Sequence, residues 1–412
     1  MSKFLYRGYD ILNKGMLNTY YTNAKDRNGK LEPYKAEEIE ALLNHWGFNP
    51  VLEKNPLMNK EDVKKWLEKI DQRKVKSWAY TGGSYGEPFR VPYSKKRALV
   101  KTATFKYFNE MGGYQLGDPF VLIRAKSKSS ILQYLRNETI FIPKDLSEKR
   151  IRSLLDTLRK KKVKVLLGYP TVMYDLALYL KNSPEEKKGL QVETLISASE
   201  PLPDFLRELI KEQFGCSFID RYSNEEVGLI AQQREYAGEH FVNKYGVLVE
   251  VVNPDSLKPV KEGEQGKVVV TDLYNELLPI IRYDTGDLAV AHKYKDGQLL
   301  SITDIAGRVT EKIFAISGSP VSPLILGPYI YIPLSKEGTV FQYQFAQTNK
   351  TKYELRIKTM GNEIPVDVLE SIRKGLMSVL GDSAEISFNF PDDILPQPSG
   401  KRPVFKNEME ST

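Results

Sequence analysis

The chain is poor in cysteine, in histidine and in long apolar runs. Its 412 residues include one cysteine, Cys216, and three scattered histidines, His45, His240 and His292. A single cysteine excludes an internal disulfide, and so few thiols and imidazoles argue against a structural zinc site. These counts are typical of an intracellular protein, and we expect a cytoplasmic location.

Segments that would direct the chain to a membrane are also missing. The sequence contains no run of about 18 apolar residues, so we expect no membrane span. The first ten residues, MSKFLYRGYD, lack the apolar region of a signal peptide. The net charge of +7 comes with no recognition motif, so a solvated surface explains it better than a nucleic-acid partner does.

The composition, with 41% hydrophobic and 27% charged residues, is that of a globular protein. Short apolar runs alternate with amphipathic stretches from about residue 119 to 223, which predicts a parallel sheet covered by helices. From about residue 240 the sequence pattern predicts mainly β-strands separated by turns. The last hundred residues predict a hairpin over 339–360, an amphipathic helix closed by Gly381, and a further strand.

These patterns predict an α/β fold with two domains. Residues 1–308 form an N-terminal domain of helix-covered, mainly parallel sheets, with a β-rich subdomain at about 240–306. Residues 309–412 form a small, mobile α+β domain. The boundary falls near Gly307 to Thr310, just before a passage rich in glycine and proline. Within the first seventy residues one helix is well marked, because Asn59 can cap it, Asp62 lies in its first turn, and an apolar stripe runs from Val63 to Ile70.

The first segment that suggests chemistry is SWAYTGGSYGEPFRVPYS, Ser77 to Ser94. Its glycines let backbone N–H groups turn toward an anion, and its hydroxyls add further donors. The Gly-Lys-Ser/Thr ending of P-loop enzymes is absent. The segment is therefore either a phosphate cradle of another kind or a glycine-rich hairpin without a ligand.

Two further segments carry acidic residues beside aromatic ones. DRYSNEEVGLIA, Asp220 to Ala231, begins at a strand end, where α/β enzymes place their ligands. An aromatic ring there can stack on a base, and a carboxylate can hold magnesium. In PIIRYDTGDLAV, Pro279 to Val290, Asp284 and Asp287 flank a turn, and a carboxylate can accept both hydroxyls of a ribose. A polar loop and an Asp-rich turn without ligands remain the alternatives.

The last two segments lie toward the C-terminus. Arg308 follows Gly307 at the predicted boundary, where a guanidinium could pair with phosphate or ribose oxygens. Lys401 follows Ser-Gly in PQPSGKRPVF, on a loop that could swing into a cleft. A surface arginine and a frayed tail are the alternatives for these two.

The order and spacing of the five segments resemble the adenylate-forming superfamily, and within it the branch of phenylacetate–CoA ligases and capsule-biosynthesis CapK-like enzymes. The segment NPLMNKEDVKKW, Asn55 to Trp66, is similar to the P-L-x-x-K-E-D segment of that branch. The resemblance implies an enzyme that uses ATP and Mg²⁺ to activate a carboxylic acid as acyl-AMP with release of pyrophosphate.

The resemblance also implies roles for individual residues. Tyr222 would stack on adenine, Glu226 would bind Mg²⁺, and Asp287 would bind the ribose. Lys401 and Glu226 would be catalytic, and Thr310 would be the hinge of the C-terminal domain. The implied nucleotide site comprises Thr81, Gly82, Gly83, Ser84, Tyr85, Gly86, Ser199, Glu200, Pro201, Asp220, Arg221, Tyr222, Ser223, Asp287 and Arg308.

Two positions depart from the family pattern. Tyr85 stands where a small hydroxyl residue is usual, and Thr310 stands where an aspartate or lysine is usual. The departure at Tyr85 could change how tightly the loop binds the nucleotide, and the departure at Thr310 could change the motion of the hinge. The acyl pocket is expected around YPTVMY, with Tyr169, Tyr174 and Ser197 as its candidate residues.

The acyl acceptor is not fixed by the residues. The nearest branch implies coenzyme A, which would make the chain an acid–thiol ligase. An amine acceptor, giving an amide in capsule or natural-product biosynthesis, is the runner-up, and a carrier-protein thiol or AMP transfer to a deazaflavin are further alternatives. A nucleotide-binding module without catalysis would lack the glutamate or the lysine, and both are present. The sequence leaves monomer and dimer equally open.

If Lys401 contacts the reacting carboxylate and α-phosphate, Lys401→Ala should lower adenylation about a hundredfold or more, because a positioned donor typically contributes about 2.7–4 kcal/mol to the barrier. ATP binding should survive the substitution. Acid-dependent ATP–pyrophosphate exchange measures the first quantity and calorimetry the second. Near-normal exchange in the variant would contradict the assignment.

Overall fold

The computed structural model describes residues 15–80, 90–115, 117–124, 133–134, 137–143, 146–200, 204–234, 238–306, 313–321, 323–337, 340–359, 363–395 and 403–409. The helices are α1 Met16–Lys30, α2 Ala36–Trp46, α3 Lys60–Leu67, α4 Lys95–Met111, α5 Glu148–Lys160, α6 Pro170–Asn182, α7 Asp204–Phe214, α8 Pro323–Lys336 and α9 Val366–Leu380. None of the helices within these ranges combines the length and the apolar character needed to cross a bilayer.

The strands follow the chain in the same numbering. They are β1 Ser77–Tyr80, β2 Arg90–Tyr93, β3 Phe120–Ile123, β4 Glu138–Phe141, β5 Val165–Gly168, β6 Thr194–Ala198, β7 Ser217–Asn224, β8 Gly228–Gln233, β9 His240–Val242, β10 Val247–Val252, β11 Gln265–Asp272, β12 Tyr283–Lys295, β13 Gln298–Ala306, β14 Ile313–Phe314, β15 Pro320–Val321, β16 Val340–Gln347, β17 Lys352–Thr359, β18 Glu385–Asn389 and β19 Phe405–Asn407.

The chain divides into two compact units that alternate along the sequence. The first unit comprises Met1–Asp118, Ser129–Glu138 and Ile219–Arg308, and the second comprises Pro119–Lys128, Thr139–Phe218 and Val309–Thr412. One division falls after Arg308, where the sequence places the domain boundary. The assignment of 1–308 and 309–412 as the two functional domains stays a prediction.

Parallel strands occur in the second unit, where helices lie between them along the chain. Strand β5 pairs in parallel with both β3 and β6, and Val165 lies opposite Phe120 on one side and Thr194 on the other. All residues of β3, β5 and β6 are buried, as expected for strands covered on both faces. The α/β fold class predicted from the alternating apolar and amphipathic stretches is confirmed.

Gly168 closes β5 in a conformation that other residues avoid. Its φ is +155°, and a Cβ atom there would lie 2.5 Å from the Cβ of Ile123 on β3. A side chain would therefore push β5 away from β3, and only glycine fits. The tight contact fixes where the chain leaves β5 and enters α6.

The C-terminal part of the second unit confirms the three elements expected there. Strands β16 and β17 form the predicted hairpin, and a four-stranded sheet results, in the order β18-β17-β16-β19. The amphipathic helix α9 ends at Leu380, and Gly381 follows it with a φ of +112°. Ile372, Leu376 and Leu380 form its buried stripe.

The first unit is built on antiparallel strands. Seven of its described strands lie in the order β10-β11-β12-β13-β9-β8-β7, and each described pairing among them is antiparallel. Strands β1 and β2 form a separate antiparallel pair. The β-rich texture after about residue 240 corresponds to β9 through β13. All residues of strands β8 and β10 are buried.

The helix predicted near residue 60 is present as α3, with the predicted cap. The Oδ1 atom of Asn59 accepts N–H groups from Glu61 at 2.8 Å and Asp62 at 3.1 Å, and Asp62 Oδ2 accepts the N–H of Asn59 in return. This reciprocal arrangement satisfies donors that a helix start leaves unpaired. The segment before α3 joins the sheet, because Met58 N–H donates to Arg282 O at 3.0 Å and Met58 O accepts the N–H of Asp284.

A buried ion pair connects α4 to the end of β11. Arg97 Nε lies 2.6 Å from Asp272 Oδ2, and the two side chains are 2% and 0% exposed. Asp272 Oδ1 also accepts the N–H groups of Tyr274 and Asn275, and the Arg97 guanidinium donates to the carbonyl of Val227. The pair thus joins three separate parts of the first unit.

A second buried cation has no carboxylate partner within the described residues. Lys244 is 1% exposed, and its Nζ donates to Gln298 Oε1 at 3.0 Å. Burial, together with the nearby charge of Arg27, lowers the pKa of Lys244 to about 8. Gln298 Oε1 also accepts the N–H of Tyr34, so the amide stays bonded whether or not the lysine is present.

We expect Arg97→Met to lower the free energy of unfolding by about 3–5 kcal/mol, because it leaves the Asp272 carboxylate buried without its cation. The double variant Arg97→Met/Asp272→Asn should recover part of this loss, since no charge is then buried. Urea unfolding of the two single variants and the double variant measures the coupling. Additive effects would show that the two side chains do not interact.

We expect Lys244→Met to stabilise the protein at pH 7. The pKa of this lysine is lower in the folded chain, at about 8, than its ordinary 10.5. The unfolded chain therefore binds more protons between these two pH values, so the free energy of unfolding of the wild type rises with pH across this window. Below pH 8 the lysine is charged in both states, and the full cost of burying that charge lowers the stability of the folded chain. A shift of this size corresponds to a penalty on the order of 3 kcal/mol.

Urea unfolding from pH 7 to pH 10 checks this prediction. In the Lys244→Met variant the free energy of unfolding should increase less with pH than in the wild type, because the contribution of this lysine is removed. Lys258→Met, which replaces an exposed lysine, is the matched control and should keep the wild-type pH profile. Equal slopes in the wild type and in Lys244→Met would refute the prediction.

Candidate nucleotide-binding site

The residue predicted to stack on adenine contacts the residue predicted to bind ribose. Tyr222 lies on β7, half-buried, and its Oη donates to Asp287 Oδ2 at 2.6 Å. The same Oη lies 3.2 Å from Thr285 Oγ1. An aromatic ring beside a carboxylate offers one face for a base and an acceptor for a ribose diol. Both belong to the first unit, 65 positions apart in the chain.

Asp287 is placed by a bulge in β12. Lys267 pairs with Leu288, and Val269 pairs with Asp284, so residues 285–287 of β12 stand opposite the single residue Val268 of β11. Gly286 takes a φ of +79° at the centre of the bulge. Bulges of this kind redirect side chains and are frequent beside functional sites.

Asp284 shapes this bulge, and its carboxylate is engaged by the protein. Its Oδ1 accepts the N–H of Gly286 at 2.8 Å, and its Oδ2 lies 3.0 Å from Lys267 Nζ. Of the two aspartates that flank the turn, Asp287 is therefore the one that shares its surroundings with Tyr222. The sequence pattern left both open, and the family resemblance selected Asp287.

Glu226, the predicted metal ligand, lies in the turn between β7 and β8. It is 3% exposed, and the Oη of Tyr283 donates to its Oε1 at 3.2 Å. The neighbouring backbone is held on both sides, since Tyr93 Oη donates to Glu225 O and Arg97 donates to Val227 O. A buried carboxylate on a fixed turn is suited to hold a cation.

The donor set at Glu226 fits magnesium better than a metal that needs several protein ligands. Among the described residues, no three His, Cys, Asp or Glu side chains are grouped so as to enclose a metal ion. Magnesium usually takes one or two carboxylates and completes its shell with water and substrate phosphates. A single carboxylate such as Glu226 fits that requirement.

Asp220 and His240 form a pair on the same antiparallel sheet. The Nε2 atom of His240 lies 2.9 Å from Asp220 Oδ2, and their side chains are 8% and 17% exposed. The Asp220 N–H donates to Gln233 Oε1 at 3.0 Å. Ser223 lies on β7 opposite Leu229, next to a register shift that follows Tyr222.

The side chain of Arg221 is directed toward α4 and is used there. Its guanidinium donates to Gln232 Oε1 at 2.7 Å and to Asn109 Oδ1 at 2.6 Å, and it lies 4.7 Å from the ring centroid of Phe105. Burial lowers the pKa of Arg221 to about 9, so it remains a cation at neutral pH. Because side chains alternate along a strand, Arg221 points away from the face that carries Tyr222.

In the second unit, the predicted adenine-pocket segment follows β6. Ser199 takes a φ of +74°, and Glu200 Oε2 accepts the hydroxyl of Thr171 at 2.7 Å and its N–H at 3.3 Å. A carboxylate at the start of α6 is favourable because the first N–H groups of a helix lack intrahelical acceptors. Ser197 is fully buried on β6.

The two tyrosines predicted for the acyl pocket are both buried in this unit. Tyr169 is 7% exposed and directly precedes α6, and Tyr174 is 5% exposed within it. The ring of Tyr174 meets the ring of Tyr331 edge to face, with centroids 6.3 Å apart. Burial raises the pKa of Tyr174 well above its ordinary value, so the phenol stays protonated.

Several predicted site residues lie outside the described residues. They are Thr81, Gly82, Gly83, Ser84, Tyr85, Gly86, Pro201, Arg308, Thr310 and Lys401. Their roles stay predictions.

Three residues of this region were not identified from the sequence. Tyr283 and Thr285 contact Glu226, Tyr222 and Asp287, and all of these contacts join positions far apart or within a bulge. Arg282 is 1% exposed, pairs with Glu250 at 3.1 Å, and donates to the carbonyls of the segment before α3. All three residues lie in the segment PIIRYDTGDLAV, which the sequence analysis singled out. The sequence alone did not show which residues they would contact.

Comparison with curated proteins shows relatives of one kind. The chain is 34% identical over 110 residues to the phenylacetate–coenzyme A ligase of Thermus thermophilus, covering 26% of this chain and 24% of the relative. It is 25% identical over 193 residues to the phenylacetate–coenzyme A ligase of Escherichia coli, covering 45% of this chain and 41% of the relative. The matches thus span less than half the length of these relatives.

Solved structures share the fold at low identity. A 2-hydroxyisobutyryl-CoA ligase in its postadenylation state, in complex with 2-HIB-AMP, superimposes with a TM-score of 0.68 at 16% identity, over 97% of this chain and 89% of that one. An anthranilate CoA ligase in complex with anthranoyl-AMP gives a TM-score of 0.54 at 18% identity, over 80% of this chain and 66% of that one.

The family model described as AMP-binding enzyme matches residues 21–273, which is more than half of the chain and includes Tyr222 and Glu226. Together with the curated relatives, this match shows that the chain belongs to the AMP-binding enzymes of the adenylate-forming superfamily, on the phenylacetate–CoA ligase-like branch.

Proposed function

We propose that this protein activates a carboxylic acid with ATP, as an acyl-AMP, and transfers the acyl group to coenzyme A. The observation that carries the proposal is the arrangement of Tyr222 and Asp287, hydrogen-bonded at 2.6 Å, in the same unit as the buried Glu226. An aromatic ring and two carboxylates are the groups needed to hold a base, a ribose and a magnesium ion beside phosphates.

In the first step, a carboxylate oxygen of the acid attacks the α-phosphorus of ATP. The new oxygen–phosphorus bond forms as the bond to the β-phosphate oxygen breaks, and pyrophosphate leaves with that electron pair. Because two anions meet, the site must align them and neutralise charge. Tyr222 would hold the base, and Asp287 would accept the ribose hydroxyls, so that the α-phosphate is held in place.

Magnesium, when bound, would neutralise charge on the phosphates and the leaving pyrophosphate. Glu226 would hold the ion through its carboxylate, and the Tyr283 hydroxyl, which donates to Oε1, would keep that carboxylate oriented. Removing this carboxylate should therefore weaken the dependence on the metal more than the binding of the nucleoside.

Other parts of the proposal depend on the family resemblance. The loop Thr81 to Gly86 would bind the β- and γ-phosphates, Arg308 the ribose and phosphate, and Lys401 the carboxylate and α-phosphate. The domain 309–412 would turn about Thr310 between the two half-reactions. Ser199, Glu200 and Pro201 would line the adenine pocket.

In the second step, the thiol sulfur of coenzyme A attacks the acyl carbon of the acyl-AMP. The thioester bond forms, the bond to the phosphate oxygen breaks, AMP leaves, and the thiol proton passes to solvent. The two sequence relatives described above, both phenylacetate–coenzyme A ligases, support this acceptor and an aryl acid. Tyr169, Tyr174 and Ser197 are the proposed acyl-pocket residues. Because ATP and coenzyme A are cytoplasmic metabolites, we place the reaction in the cytoplasm.

ATP–pyrophosphate exchange with a panel of acids tests the activation half. We expect Mg²⁺-dependent exchange with aryl acids, phenylacetate first, and weaker exchange with fatty, amino and sugar-derived acids. Adding coenzyme A should give a thioester, while adding amines or a deazaflavin should give no product. Exchange with no acid, despite binding of ATP, would favour a nucleotide-binding module, and product with an amine alone would assign an amide ligase.

The variant Glu226→Gln tests the metal assignment in the same assay. We expect it to lose Mg²⁺-dependent exchange, with Glu225→Gln as the matched control, because Glu225 is the adjacent carboxylate and is exposed. Equal loss in both variants would show that the charge of the turn, and not Glu226 itself, supports the reaction.

A further inference from the structure

Two hydroxyl groups on β12 contact the groups that would hold the two halves of ATP. The Tyr283 Oη donates to Glu226, and Thr285 Oγ1 contacts Tyr222 and Asp287. Both residues are buried, with exposures of 4% and 3%, so neither presents a large surface to a ligand. They are placed to act through the side chains that they touch.

The Tyr283 hydroxyl orients the Glu226 carboxylate without neutralising it. Its Oη lies 3.2 Å from Oε1, and both side chains are buried, so the carboxylate rotamer is restrained by a donor of fixed position. A lysine or arginine in the same place would compete with a cation for the negative charge. A phenol supplies a hydrogen bond without adding a positive charge.

The Thr285 hydroxyl fixes the nucleoside side. Its proton goes to the carbonyl of Val268 at 2.9 Å, so its oxygen acts as an acceptor toward the Asp287 N–H, which lies 3.2 Å away. The Tyr222 Oη, whose own proton goes to Asp287 Oδ2, also lies 3.2 Å from Oγ1. The contact is possible because Thr285 and Asp287 lie in the bulge of β12, directly across from Val268.

We propose that Tyr283 and Thr285 are positioning residues with separate tasks, Tyr283 for the metal-and-phosphate half of the nucleotide site and Thr285 for the nucleoside half. The proposal rests on the function proposed above, since it assigns Glu226 to Mg²⁺ and Tyr222 with Asp287 to the nucleoside. The two residues lie two positions apart on one strand, yet each acts on a different part of ATP.

Binding measurements separate the two tasks. Calorimetry gives the Kd of AMP without metal, which reports the nucleoside half, and the ratio of ATP affinities with and without Mg²⁺, which reports the metal half. Tyr283→Phe should lower the Mg²⁺ ratio about tenfold and leave the AMP Kd unchanged, because a hydrogen bond to a charged group is lost. Thr285→Val should weaken AMP binding about tenfold and leave the Mg²⁺ ratio unchanged, and Thr285→Ser should restore AMP binding.

Matched controls remove the same hydroxyl groups elsewhere. Tyr294→Phe deletes a phenol on the same strand that donates to Val260 O at 2.8 Å, and Thr104→Val deletes a buried hydroxyl that donates to Val100 O on α4. Both should bind like the wild type, and thermal melting of every variant confirms folding. If Tyr283→Phe and Thr285→Val change both quantities equally, or neither, the proposal is overturned.

The outcome for the proposed function is read separately. If the wild-type protein binds AMP and Mg²⁺–ATP but exchanges pyrophosphate with no acid, the proposed ligase activity is refuted. The separate effects of Tyr283→Phe and Thr285→Val on the Mg²⁺ ratio and on the AMP Kd still test this inference. A wild-type protein that binds neither AMP nor ATP refutes both.

Discussion

The first unit depends on the contact between Arg97 and Asp272. A charge buried to 2% exposure is tolerable only when it is paired and hydrogen-bonded, and Arg97 meets that condition with a carboxylate and with the carbonyl of Val227. Because the carbonyl belongs to the turn that carries Glu226, the interaction that stabilises the unit also sets the position of a predicted ligand. Ser94 caps α4 through the N–H of Arg97, so the helix start, the ion pair and the turn are fixed together.

The first unit buries several cations, and its candidate site carries carboxylates. Arg97, Arg221, Arg282 and Lys244 are buried cations whose hydrogen bonds lie within the protein framework. Glu226 and Asp287 each accept a hydrogen bond from a phenol, that of Tyr283 and that of Tyr222 respectively. Neutral donors fix the direction of a carboxylate while preserving its charge. The proposed site would use this property, since its carboxylates would bind a cation and ribose hydroxyls.

Much of this organisation could be predicted from the sequence, because local rules determine it. The cap at Asn59, the hairpin over β16 and β17, and the end of α9 before Gly381 follow from capping, alternation and helix periodicity. Tyr222, Glu226 and Asp287 followed from the resemblance of ordered segments. The partners did not follow, because Arg97 and Asp272 are 175 positions apart and no local rule relates them. The direction of Arg221 could have been inferred from the alternation of side chains on β7, whereas the depressed pKa of Lys244 required knowing which residues cover it.

The bulge in β12 has a consequence for how such a chain can change over evolutionary time. Three residues of β12 stand opposite one residue of β11, so two residues are in excess of a regular ladder. Because side chains alternate with a period of two, losing an even number keeps every following side chain on its present face. A two-residue deletion between Asp284 and Leu288 would thus leave the sheet in phase while erasing the place where Thr285 and Asp287 stand. A single short deletion could therefore remove the nucleotide site and leave the sheet intact.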